Sequence, residues 1–199
     1  MGVDANVARI VAAVSQNRDI DNTLFVFMSD NGYSWGDHRL VAKRSPYVST
    51  NEIPLMVRYP RSSRVPRPGQ DPRLANNVDV TATILSVAGA ANSSDGLPLN
   101  GSSQHRYLPL MAAATRGRKN ETPPRSAYCG VRGHRWSYLA YGSGETELYD
   151  LARDPFQIDN VVKRQPAVAA RLAARTASTG CDAGYLDRVI GPYLPGADE

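Results

Sequence analysis

The side chains able to do chemistry in this 199-residue chain gather between Ser29 and Arg44. Asp30 and Asn31 are neighbours and offer a carboxylate and an amide carbonyl, hard oxygens suited to calcium or magnesium. Gly32 follows, and a glycine lets the backbone turn away sharply without a steric penalty. On residue types alone, Asp-Asn-Gly is also an ordinary turn sequence. Asp37, His38, Arg39, Lys43 and Arg44 come next, and the cations among them can bind an anion. His38 reads either as a group facing a substrate or as a structural hydrogen-bonding residue. Lys43 reads either as an anion contact or as one surface cation among 23 lysines and arginines.

The elements that must position these groups follow from apolar spacing. Thr23–Met28 (TLFVFM) is apolar or β-branched without alternation, which suits a strand buried on both faces of a parallel sheet. Ligands bind beyond the carboxyl ends of such strands, where Ser29–Gly32 falls. Val3, Val7, Ile10, Val11 and Val14 lie at helical spacing and predict a helix over residues 3–17. Helix, loop, strand and ligand loop make half of a βαβ unit, so a preceding strand is expected outside these residues. Ile53–Tyr59 reads as a second strand, with Pro54 at its start and Pro60 at its end. Residues 60–76 read as an exposed connection, and Val78–Val87 as a helix with Asp79 near its start and Gly89 past its end. Residues 90–104 read as a loop and 116–126 as a linker. Tyr128–Val131, Trp136–Tyr141 and Glu147–Tyr149 then predict an antiparallel meander, and Ala167–Thr176 a final helix. Two domains are expected, residues 1–115 and 116–199.

Composition bounds the function. A hydrophobic fraction of 42% supports a core, and a net charge of +4, thinly spread, does not indicate nucleic-acid binding. No run is long and apolar enough to span a bilayer, and MGVDANVARI does not read as a signal peptide. The expectation is a soluble chain whose localisation is open. Cys129 and Cys181 show no C-x-x-C spacing and read as buried free thiols, with pairing in an oxidising compartment the other possibility. His38, His105 and His134 do not cluster in sequence, and Trp136, Tyr138 and Tyr149 read as packing residues.

The longer pattern SDNGY-x-x-GDHRL-x-x-KRSPY, followed by IPLMVRYP, resembles the sulfatase family of the alkaline phosphatase superfamily. VDVTATILSVAGA and ELYDLARDPFQIDN resemble later segments of the same family, in particular bacterial and N-acetylglucosamine-6-sulfatase-like members. The resemblance implies an α/β fold: part of an alkaline-phosphatase-like sandwich, mostly parallel sheet with flanking helices, plus a small C-terminal antiparallel sheet with a helix. It implies Asp30 and Asn31 as ligands to calcium or magnesium, Lys43 as the sulfate contact and His38 as a catalytic neighbour. The implied activity is hydrolysis of a sulfuric ester, a sulfated sugar among the possible substrates. In the family the nucleophile is a formylglycine made within a C/S-x-P-S-R-like motif, and neither cysteine nor any serine here lies in one. Calcium takes about 6–8 oxygens, of which Asp30 and Asn31 supply a minority. The chain is therefore expected to correspond to a C-terminal half that is inactive alone, with the formylglycine and the other metal ligands on an N-terminal half as its partner. Where family members often carry acidic residues after the tyrosine matching Tyr47, this chain has Val48 and Ser49. The competing readings are a phosphodiesterase or phosphonate hydrolase of the same superfamily, and a non-catalytic remnant.

Overall fold

The structure is a computed structural model that describes residues 2–43, 45–63, 69–112 and 127–181. In chain order its elements are α1 (Val3–Gln16), β1 (Phe25–Met28), β2 (Ser34–Trp35), β3 (Val41–Ala42), α2 (Val48–Asn51), β4 (Leu55–Arg58) and α3 (Asn77–Val87). Then come β5 (Leu108–Ala112), β6 (Tyr128–Arg132), β7 (Trp136–Tyr141), β8 (Thr146–Asp150) and α4 (Pro166–Ala177). Contacts divide the chain into two units, Met1–Asp30 with Ile53–His105, and Asn31–Glu52 with Arg106–Glu199. The boundary expected after residue 115 and the linker expected over 116–126 lie outside the described residues. Among the described residues no helix is long and apolar enough to cross a membrane.

In the first unit β1 pairs with β4, Phe25 opposite Arg58 and Met28 opposite Leu55, and the pairing is antiparallel. This corrects the expectation of a mostly parallel sheet, since every ladder among the described residues is antiparallel. The chain leaves β1 through the Asn31–Glu52 excursion and returns without a crossover helix, so the second strand must run back along the first. β1 is evenly half-buried rather than fully enclosed on both faces.

Helix α3 begins where the sequence places it, in a capping box in which Asn76 accepts from the Asp79 amide and Asp79 from the Asn76 amide. Asp79 is fully buried, and its carboxylate also accepts from the Leu97 amide at 2.8 Å and from His105 Nε2 at 2.9 Å. Thr83 Oγ1, one turn on, accepts from the Leu99 amide at 2.8 Å. These bonds fasten residues 97–105 across the start of the helix. A Cβ on Gly96 would lie 2.2 Å from the Val78 carbonyl oxygen, so the crossing needs a glycine. The connection before α3 is also fixed at its end, because Arg73 donates to the carbonyls of Leu99 at 2.7 Å and Gly101 at 2.8 Å.

The second unit is built on a four-stranded antiparallel sheet in the order β5-β6-β7-β8. The three predicted strands form its meander, and β5 adds an edge strand in which Pro109 is tolerated because one side of the ladder is open. Leu172 of α4 packs with Val131, Tyr138 and Leu148, while Tyr47, Tyr128, Leu139 and Tyr149 form a second cluster.

Cys129 and Cys181 are joined in a disulfide, which corrects the reading of two free thiols. Cys129 lies in β6 and Cys181 just beyond α4, and the packing of α4 on that strand brings together residues 52 apart in sequence. Closing such a loop restricts the unfolded chain and contributes about 4 kcal/mol. A Cys129→Ala/Cys181→Ala variant should therefore unfold at clearly lower denaturant than the oxidised protein and should lose the response to reductant. An unchanged midpoint would refute that contribution.

Candidate functional site

The segment that leaves β1 is organised by close backbone contact. Asp30 is exposed at the end of the first unit, with its carbonyl accepting from Asn77 Nδ2 at 3.2 Å. Asn31 opens the second unit and turns its Nδ2 onto the Gly32 carbonyl at 2.9 Å. Gly32 donates its amide to the Thr50 carbonyl at 3.0 Å, and a Cβ there would sit 2.1 Å from the Ser49 oxygen. It is absent from the positive-φ glycines, so it is needed for room and not for the sharp turn its position suggested.

After Gly32 the chain forms a hairpin. β2 pairs with β3, Ser34 opposite Ala42 and Trp35 opposite Val41, and the loop between them closes through Gly36 N to the Leu40 carbonyl at 2.9 Å. The hairpin folds Lys43, exposed directly after β3, back toward the residues that precede β2. Five described non-glycine residues have positive φ, and three of them, His38, Arg39 and Ala42, lie in this hairpin. Each such residue costs about 1–3 kcal/mol and persists only where its surroundings over-determine it.

The second unit supplies those surroundings. The His38 ring stacks on Tyr47, 3.6 Å between centroids and 6° from parallel, and its Nε2 donates to the Phe156 carbonyl at 3.0 Å. Tyr47 reaches Glu147 at 3.2 Å and the Tyr141 hydroxyl at 3.3 Å. The Val48 amide donates to Gln157 Oε1 at 2.8 Å, and the Ser34 and Ser49 hydroxyls are 2.9 Å apart. Val48 and Ser49, which stand where family members are often acidic, are thus held by a backbone amide and a hydroxyl rather than by charge. Ser45 and Thr50 close the segment with a hydroxyl pair at 2.8 Å, and Thr50 also donates to the Ser45 carbonyl.

Gln157 is another of the five, fully buried with φ 59°. With the neighbouring Phe156 carbonyl it clamps two separate points of the segment, His38 at the hairpin tip and Val48 at the start of α2. The sequence held it only as part of the ELYDLARDPFQIDN segment and gave it no role, because Val48 lies 109 positions from it and His38 lies 118 positions from Phe156.

Of the residues singled out by sequence, Asn31, His38 and Lys43 belong to the second unit and Asp30 to the first, while Arg44 lies outside the described residues. Asp30 and Asn31 have the donor chemistry of ligands to a hard divalent cation. Among the described residues no three histidine, cysteine, aspartate or glutamate side chains converge to hold a metal, so the pair fits such an ion only as part of a shell.

Residues 1–90 match the family described as Sulfatase. An arylsulfatase of Chlamydomonas reinhardtii is 30% identical over 207 residues, covering 86% of this chain and 32% of that protein. An N-acetylglucosamine-6-O-sulfatase of Bacteroides thetaiotaomicron is 25% identical over 178 residues, covering 81% of this chain and 30% of that protein. The chain therefore spans about a third of the length of the curated relatives it matches. In fold it is similar to a phosphonate monoester hydrolase of Agrobacterium radiobacter, with a TM-score of 0.72 and 24% identity over 88% of this chain and 38% of that one.

Two outcomes follow from the clamp and the tyrosine cluster. Gln157→Ala should destabilise the second unit by about 1–3 kcal/mol, since it leaves the Val48 amide without its acceptor. Hydrogen exchange should quicken at Val48 and around His38 before the four-stranded sheet is affected; uniform loosening would contradict the clamp. Burial, reinforced by the Glu147 carboxylate, raises the phenols of Tyr47, Tyr141 and Tyr149 above their ordinary 10.0. The folded phenols keep protons that the unfolded ones release, so stability is intact below about pH 10 and falls as pH rises beyond it. Absorbance at phenolate wavelengths should show these tyrosines ionising together with unfolding, and ionisation ahead of unfolding would refute their burial.

Proposed function

We propose, from the premise that this chain belongs to the sulfatase family, that its Asp30–Lys43 segment supplies part of a site for hydrolysing a sulfuric ester. The observation that carries this reading is the strained, heavily anchored hairpin that holds His38 and folds Lys43 back toward the residues just before β2. Backbone strain held by surrounding contacts is characteristic of functional loops.

In this reading Asp30 and Asn31 hold a calcium or magnesium ion with oxygens from outside this pair. Such an ion would supply positive charge to the sulfate oxygens as charge develops on them. Lys43 meets the sulfate as a compact point charge. His38 has its Nε2–H held by the Phe156 carbonyl, which fixes the tautomer and makes Nδ1 the atom that can accept a proton or a hydrogen bond. The nucleophile is assigned to a formylglycine outside these 199 residues, on a partner N-terminal half, since no cysteine or serine here lies in a C/S-x-P-S-R-like motif and Cys129 and Cys181 are bonded to each other. The named activity of the Bacteroides relative favours a sulfated amino sugar as substrate. The fold shared with a phosphonate hydrolase keeps one alternative, because a lysine binds either oxyanion.

The test is binding and turnover by the 199-residue chain. Calorimetry should show calcium binding that Asp30→Ala and Asn31→Ala each weaken by at least tenfold. Sulfate binding should fall at least tenfold in Lys43→Ala, whose melting temperature should not change. With 4-nitrophenyl sulfate and calcium the chain alone should show no turnover. Turnover abolished by Asp30→Ala would overturn the assignment of the nucleophile, and tighter Lys43-dependent binding of a phosphonate monoester would favour the alternative.

A further inference from the structure

The hairpin has two faces with opposite character. Ser34 is buried and bonded to Ser49, and Ala42 opposite it is half-buried. Side chains alternate along a strand, so Tyr33 and Trp35 share the other face. Trp35 is 83% exposed and its cross-strand partner Val41 is 61% exposed, while Tyr33 is 37% exposed. Trp35 is the most exposed large apolar residue described, and burial of its indole elsewhere would be strongly favourable. The tyrosine and tryptophan rings are nevertheless fixed against each other, with centroids 4.5 Å apart and planes tilted by 43°.

We infer that Tyr33, Trp35 and Val41 form a stacking platform for the ring of a saccharide whose sulfate is held by Lys43. This inference rests on the sulfate role proposed for Lys43 and adds the part of the substrate that lies beyond the sulfate. Aromatic faces carry negative charge density, and the C–H bonds on one face of a pyranose carry the complementary partial positive charge. Two tilted rings and a valine make a patch of single-ring size, well short of the roughly 800 Å² per partner that a stable protein interface needs. The charges beside it also fit an anionic sugar. Lys43 follows β3 directly, Arg39 is exposed in the hairpin loop, and the carboxylate of Asp37 is occupied by the Trp35 amide at 3.2 Å. The strained loop fixes the platform in place, so a ring binds there with little ordering of the protein.

The test compares two sulfate esters on the 199-residue chain by calorimetry, glucosamine 6-sulfate with a ring and ethyl sulfate without one. The wild type should bind the sugar ester at least tenfold more tightly. Trp35→Ala should remove that ratio, Tyr33→Ala should reduce it, and Trp35→Phe should restore most of it. Lys43→Ala should weaken both esters alike. The chain has two tryptophans, Trp35 and Trp136, so Trp136→Phe should keep the fluorescence change on sugar binding and Trp35→Phe should lose it. Equal affinity for the two esters, or a ratio unchanged in Trp35→Ala, would overturn the platform, while Lys43-dependent ethyl sulfate binding would still support the sulfate site. A ring preference that survives in Trp35→Ala but not in Val41→Ser would likewise overturn the stacking role. Glucosamine 6-sulfate binding that is unchanged in Lys43→Ala and matched by unsulfated glucosamine would overturn the sulfate reading and keep the platform as a sugar site. Binding of neither ester would overturn both. Loss of a wild-type dimer in Trp35→Ala, seen by sedimentation, would show a self-association surface instead.

Discussion

Between Asn31 and Glu52 the chain makes a hairpin of two two-residue strands and a single turn of helix, too little regular structure to satisfy its own backbone. Polar backbone groups removed from water need partners, so the segment depends on groups from elsewhere. Gln157 Oε1 takes the backbone amide of Val48, and the Phe156 carbonyl and the Glu147 carboxylate hold the side chains of His38 and Tyr47 beside it. Left-handed backbone at His38, Arg39 and Ala42 is sustained by that docking. The four-stranded sheet is in this sense the support for a loop, and the loop is what carries His38 and Lys43.

The first unit solves a similar problem with a charge. Buried Asp79 would be costly alone, but it is bonded to the amides of Asn76 and Leu97 and to His105. A fully partnered buried carboxylate is specific because removing any one donor leaves charge unmet. Here it sets where residues 97–105 cross the start of α3, and Gly96 admits the approach. Each unit therefore fixes an irregular segment through one buried polar group, Asp79 in the first and Gln157 in the second.

Rigid support and an exposed aromatic face are what a binding loop requires together. Ser34 and Ser49 tie the inner face of the hairpin down, which leaves Trp35 and Val41 outward without loss of order. Exposure of this kind is a property of the fold and not of composition, since only 8% of the residues are aromatic.

Elements whose cause is local were legible in the sequence. The valine and isoleucine spacing of α1, the start of α3 with Asp79 near it, the meander of β6 to β8 and the body of α4 all follow from nearest-neighbour periodicity and capping. The Asp30-Asn31 pair and the cations up to Lys43 were visible as types at a spacing, and their family likeness with them. What only the tertiary structure decided depends on residues far apart. The antiparallel return of β4 onto β1 came from an excursion without a crossover helix, and β5 became a strand because β6 offered it an edge. Cys129 and Cys181 pair because α4 packs on β6, Gly32 is needed because the Ser49 carbonyl crosses it, and Gln157 matters because Val48 reaches it from 109 positions away. Spacing along a chain encodes which face a residue takes in its own element. It does not encode which distant group will lie opposite that face once entire elements pack.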